Sequence, residues 1–323
     1  MLRSLFIMLW LLPCTPAVSQ EKLWRVGLLS NGTRAGSSTQ TTTWRSELLR
    51  VLALNGFNQG RNLVLVDRFS ELNPERIPQL AREIGAAGVD VLVAVGDNSV
   101  RAALASTQAI PIIMVVGDDP VATGLVASLA RPGGRVTGIV FQTIQGDAKR
   151  LQLLSEAIPG ARRFARLAPA LPNPRLADRL ALAAAEIRIE LTTHAVTASG
   201  EYAAAFAAMR NEGAAGALIT STQSLSSDGK QIAAQATEHG LPTMCEWAYM
   251  AREGCVFAYG HDLAYANRRV GEYVVRILKG ALPADLPVEQ SDAWKLVINL
   301  QSAKTLGLTV PATLLARADE VIE

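Results

Sequence analysis

Short apolar runs of about six residues, each followed by a stretch of helical period, recur from Leu23 to the end of the chain, and this alternation restricts the fold more than any other feature. Residues 25–29, 63–68, 89–95, 112–116 and 136–141 read as strands, rich in β-branched residues and apolar on both faces. A parallel sheet covered by helices on either side requires that pattern. The stretches between them, at about 42–54, 74–86, 98–106 and 121–130, read as helices. A doubly wound unit of five strands follows.

The same rhythm then repeats. Strand candidates at 164–168, 190–195, 216–220, 242–246 and 256–259 alternate with helices at about 149–157, 174–188, 201–211 and 227–239. A long helix over 263–279 has Asp262 as its N-cap and Gly280 just past its end, and 286–300 reads as extended chain returning between two lobes. No linker rich in Gly, Ser or Pro separates the two series, so short crossings are expected to join them.

The first twenty residues carry a different signal. Arg3 supplies a positive start, residues 4–12 an apolar core too short for a bilayer of about 30 Å, and Ala17-Val18-Ser19 a small-x-small cleavage site. A signal peptide over 1–19 and a mature chain from Gln20 are expected, hence export to the periplasm. Lipidation of Cys14 is the alternative, against which Pro13 stands where lipobox sites want a small residue. A net charge of +2 with no basic stripe, and 5% aromatics without a stacking pattern, argue against nucleic acid. Of three cysteines, Cys245 and Cys255 remain after the leader. Their places at the end of one strand and the start of the next suggest a separation above the roughly 7 Å Cα limit for a bridge, so two buried thiols are expected.

In open parallel sheets, ligands bind beyond the carboxyl ends of the strands. In the first lobe those loops are Ser30-Asn31-Gly32, Gly96-Asp97-Asn98-Ser99 and Gly117-Asp118-Asp119-Pro120. Asp119 as N-cap and Pro120 as first helical residue would aim free N–H groups at the cleft, which suits a carboxylate. Asp118 would then accept from an ammonium group, unless both aspartates only end the strand and cap the helix. Asn98 and Ser99 are read either as helix-opening residues or as ligand contacts. In the second lobe the rim is 169–174, Thr220-Ser221-Thr222-Gln223, Glu246-Trp247 and Tyr259-Gly260, where Trp247 and Tyr259 are candidates to stack on a planar ligand or to belong to the core.

Catalytic signatures are missing. There is no G-x-S-x-G elbow, H-E-x-x-H pair, P-loop or G-x-G-x-x-G turn, and His194, His239 and His261 have no metal-ligand spacing. Neither an enzyme nor a metal or other cofactor is expected.

Residues 117–126 (GDDPVATGLV), 129–138 (LARPGGRVTG) and 315–323 (LARADEVIE) closely resemble the bacterial tryptophan/tyrosine-type ABC transporter substrate-binding proteins. Gly56-Phe57 with 60–63, 149–151 with Leu153-Leu154, 281–290 and 296–300 extend the resemblance over the whole mature chain. It implies a type I periplasmic-binding-protein fold: two Rossmann-like α/β lobes, doubly wound on parallel sheets, that close over a small solute and hand it to a permease with its ATPase. The lobes are then 23–141 with 262–288, and 142–261 with 289–323, hinged near Phe141, Gly260 and Glu289. Two departures stand out. Residues 168–174 (APALPNP) lack the aromatic and first Asn of relatives, keeping only Asn173 and Pro174, and Ser221-Thr222-Gln223 replaces an acid.

The expected function is capture of a small amphipathic metabolite, such as an amino acid, for an ABC importer. The expected contacts are Ser30, Asn31, Asn98, Ser99, Asp118, Asp119, Gln142, Thr222, Gln223, Trp247 and Tyr259. The alternatives are a sensory protein that docks a receptor or kinase ectodomain, and an exported α/β enzyme.

Overall fold

The computed structural model describes residues 22–34, 38–141, 143–170, 174–220 and 222–323; the leader, Gln142, Asn173 and Ser221 lie outside them. In the first lobe, β1 (Trp24–Ser30), α1 (Ser38–Leu54), β2 (Leu63–Phe69), α2 (Ile77–Ala86), β3 (Val91–Val95), α3 (Asp97–Ser106), β4 (Ile112–Val116) and β5 (Val136–Val140) follow one another. The second lobe runs through α4 (Thr143–Ala157), β6 (Arg163–Pro169), α5 (Pro174–Glu186), β7 (Glu190–Val196), α6 (Tyr202–Asn211), β8 (Ala217–Ile219), α7 (Gln223–Ser227), α8 (Gly229–Glu238), β9 (Thr243–Cys245), α9 (Ala248–Arg252) and β10 (Phe257–His261). The chain crosses back for α10 (Leu263–Leu278) and β11 (Glu289–Gln290), then returns for β12 (Trp294–Asn299), α11 (Leu300–Thr305), α12 (Ala312–Leu315) and β13 (Glu320–Ile322).

Strand order is β11-β5-β4-β3-β1-β2 in the first sheet and β13-β12-β10-β9-β8-β6-β7 in the second. All pairs are parallel except β10 with β12. Both sheets are covered on two sides. On one face of the first, Leu92, Ile112 and Met114 meet Leu80, Ile84 and Val100; on the other, Val26, Val91 and Ile113 meet Leu48 and Leu52 of α1. Residues 289–290 pair with β5, so the third crossing falls at 291–293, two residues beyond the expected boundary.

Gly138 shows why a glycine interrupts β5. Its φ is 142°, and a Cβ there would lie 2.1 Å from the Met114 carbonyl oxygen of the neighbouring strand.

Three expectations need correction. Residues 121–130 do not form a helix: Leu125 and Val126 both donate to the Pro120 carbonyl, Gly124 turns at φ 73°, and the chain leaves in turns. The predicted helix over 227–239 begins earlier and breaks at Asp228, which separates α7 from α8. Cys245 and Cys255 form a disulfide with Cα atoms 6.5 Å apart. β9 and β10 are adjacent, with Ala258 beside Cys245. The five-residue α9 returns the chain quickly, and Cys255 N–H is tied to the Met250 carbonyl, so the thiols meet below the β10 strand.

Candidate functional site

Parallel strands that all point one way put their carboxyl ends on one rim, and the two lobes turn these rims toward each other. On the first, Ser30 ends β1, and Asp97 and Asp118 follow the adjacent strands β3 and β4. Ser30 is buried and its Oγ accepts from Gly32 N–H at 3.1 Å, while Asn31 Oδ1 accepts from Ser70 Oγ at 2.7 Å. α3 begins at Asp97, after Gly96 as N-cap, which leaves Asn98 exposed and buries Ser99. Ser99 Oγ has no hydrogen-bond partner among the described residues.

Asp118 is half-buried beside Asp97. Burial raises the Asp97 carboxyl first, and the Asp118 charge raises it further, with Arg101 opposing. Asp119 is engaged elsewhere, since its Oδ1 accepts from Val121 N–H at 2.9 Å and Ala122 N–H at 3.3 Å and so caps the turn. With no helix behind that turn, the expected carboxylate site at Pro120 loses its dipole.

Across the cleft, Thr222 caps α7 by accepting from Leu225 N–H at 3.4 Å. Gln223 leans toward the other lobe so far that a Cβ on Gly32 would lie 3.1 Å from its Nε2. Gln223 is thus brought against Gly32 and Ser30, while the Asn31 and Thr222 side chains serve Ser70 and the α7 cap.

The aromatic candidates are spent on one another. Trp247 is 8% exposed and its ring meets Phe141 edge-on at 5.8 Å. Phe141 lies 5.2 Å from the His261 ring, His261 lies 3.9 Å from Trp294, and Trp294 stacks on Tyr259 at 5.0 Å. Phe141, His261 and Trp294 each stand at a different crossing, so the string of rings ties all three together. Burial pushes the His261 imidazole down to about 4. Gly146 makes room for this packing, since a Cβ there would come within 2.9 Å of both Trp294 and Arg150.

Sequence reasoning names Glu246 on the rim of the second lobe but misses the buried charges beneath it. Arg150 is wholly buried; its Nε donates to Asp147 Oδ1 at 2.9 Å and its Nη1 to the Tyr259 carbonyl at 2.9 Å. Glu246, at the end of β9, is 2% exposed and reaches Arg150 Nη1 only at 3.9 Å. Neither of its carboxyl oxygens has a hydrogen-bond partner among the described residues. Burial pushes its pKa up to about 8 against the opposing pull of Arg150, with Asp147 adding to the rise. The signal available in the sequence was an acid at a strand's carboxyl end, directly before Trp247.

Among the described residues no group of His, Cys, Asp and Glu could hold a metal ion, and no helix is long and apolar enough to cross a membrane.

The model of the ABC transporter substrate binding protein family matches residues 41–322. The chain belongs to that family. A tyrosine-binding protein of Clostridioides difficile (strain R20291) is 25% identical to this substrate-binding protein over 263 residues, covering 80% of this chain and 75% of the relative. A solved conserved domain protein of Vibrio cholerae superposes with a TM-score of 0.82 at 25% identity, covering 93% of this chain and 100% of that one. The ABC domain in complex with L-Trp from Streptococcus pneumoniae gives 0.80 at 21% identity, over 93% of this chain and 99% of its own. The substrate-binding protein is accordingly no enzyme; its family works outside the cytoplasm, with a small solute and a permease and ATPase system.

Proposed function

We propose that this chain is the periplasmic receptor of an ABC importer, exported by a leader cleaved after Ser19, and that it captures an amino acid by closing its two lobes around the three crossings. The observation that carries this reading is the approach of the Gln223 amide to Gly32, which draws both rims around one polar cleft. Ser30, Asn31, Asn98, Ser99, Thr222 and Gln223 supply hydrogen bonds, and the Asp97–Asp118 pair accepts the ammonium group. Gln142 keeps its place in the proposal from sequence alone. Asp119 and Tyr259 act indirectly, since the turn and the Trp294 ring already occupy them. Trp247 is packed against Phe141 and nearly buried, so it offers the solute little surface. Closure removes water, and the few polar contacts gain strength in the dry cleft.

The tyrosine-binding relative and the L-Trp complex support an aromatic amino acid as the first solute to try. A thermal-shift screen with L-tyrosine and L-tryptophan tests this. A solute at 100 times its Kd adds about 2.7 kcal/mol of stability. The reading fails if no amino acid shifts the melting temperature, or if Asp118→Asn leaves the affinity of a confirmed solute unchanged.

A further inference from the structure

Among the described residues, the second lobe holds a buried cation, Arg166, to which no carboxylate is hydrogen-bonded. Arg166 stands on β6, three residues before the strand's end, and is 2% exposed. Its Nε donates to Thr220 Oγ1 at 2.8 Å, and its Nη2 has no hydrogen-bond partner among the described residues. Thr220 follows the last residue of β8, so the guanidinium is drawn toward the cleft rim, close in sequence to Thr222 and Gln223. The acid that acts on Arg166 is Asp147, whose Oδ1 holds Arg150 through Nε and Nη2 and whose Oδ2 has no hydrogen-bond partner among the described residues, so the two guanidiniums share one carboxylate.

The balance of charge on this floor is positive. Arg150 and Arg166 both act on Asp147, and burial pushes the other acid beside Arg150, Glu246, up to about 8. Two helices add to the positive potential, since α4 and α5 cover the same face as Arg166 and run opposite to the strands, with their N-termini toward the rim. The first lobe has the opposite sign at Asp97 and Asp118. Burying a guanidinium without a counter-ion is costly, and an arriving anion recovers that cost.

We infer that Arg166 is the carboxylate anchor of the site, so that an amino acid lies across the cleft with its ammonium on the Asp118 side and its carboxylate on the Arg166 side. This rests on the cleft being the solute site, and it replaces the turn at Pro120 as the place for the carboxylate. A solute that lacks either charge bridges only one lobe and favours closure less.

The test is calorimetric titration of the full mature chain with L-tyrosine, L-tryptophan, and their amines tyramine and tryptamine, which keep the ring and ammonium but lack the carboxylate. The wild-type protein is expected to prefer the amino acid over its amine by at least about 30-fold. Arg166→Gln is expected to abolish that preference by weakening the amino acid and sparing the amine. Equal wild-type affinity for amino acid and amine, or an equal loss of both in Arg166→Gln, overturns the inference while leaving the cleft as the solute site. If no amino acid binds the wild-type protein, the proposed function itself falls, and the anchor with it. The wild-type comparison decides the matter even if Arg166→Gln fails to fold.

Discussion

Glu246 gives the most exposed physical prediction. Burial in the floor of the second lobe pushes its carboxyl group from 4.5 in an unfolded chain up to about 8, and no described residue gives either oxygen a hydrogen bond. A raised acid favours folding in its neutral form, so its contribution is complete below pH 4.5 and is lost as pH rises toward 8. The shift corresponds to roughly 5 kcal/mol, at about 1.4 kcal/mol per pH unit. Glu246→Gln keeps the shape and removes the titration. Urea midpoints of the two proteins, measured from pH 4 to pH 9, should therefore diverge steadily, with the wild type losing ground to the variant and the gap levelling above pH 8. Two parallel curves would refute the reasoning, since they would mean that Glu246 ionises in the folded protein as it does in water.

Three further outcomes follow from other parts of the structure. Replacing Cys245 and Cys255 by serine should lower stability by about 2–3 kcal/mol in chemical denaturation, the entropy of closing a short loop, and an unchanged midpoint would show that the bridge constrains nothing. Phe141→Ala removes the ring between Trp247 and His261; a loss of about 3 kcal/mol is expected, together with a change in tryptophan fluorescence, and a silent variant would break the link between the crossings. His261 moves the opposite way from Glu246. Its folded pKa is depressed to about 4, so stability present above pH 6.5 should fall as pH drops through that window, by up to about 1.4 kcal/mol per unit, and this slope should vanish in a His261→Gln, Glu246→Gln protein compared with Glu246→Gln alone.

The doubly wound lobes are legible in the sequence because buried parallel strands leave a dense, two-sided apolar record, as at Ile112–Val116 and Val136–Val140. The rim is legible for a related reason. Topology puts strand ends together, so Ser30, Asp97 and Asp118 become neighbours wherever such a sheet forms. Features decided by a single local competition are not legible in this way. The start Asp119-Pro120 signals a helix, but Gly124 and the double acceptance by the Pro120 carbonyl end it within a turn. The cysteine pair misleads because its distance depends on which strands are neighbours, a property of sheet order that spacing along the chain does not carry. Glu246 is read on the rim and Arg166 within a strand, but their meeting with Arg150 depends on three elements separated in sequence that close over them. Trp247 and Tyr259 stand out as rings near the cleft, but their partners, Phe141 and Trp294, arrive from separate crossings.

The bridge between Cys245 and Cys255 gives the cleft a history as well as a shape. It closes the loop that carries Glu246 and Trp247, and thiols stay reduced in an ordinary cytosol. A chain that begins in such a compartment carries this loop unlocked, and only an oxidising surrounding supplies the covalent closure. On the proposed export route, the loop that carries Glu246 and Trp247 is locked only after the chain has left the cytoplasm.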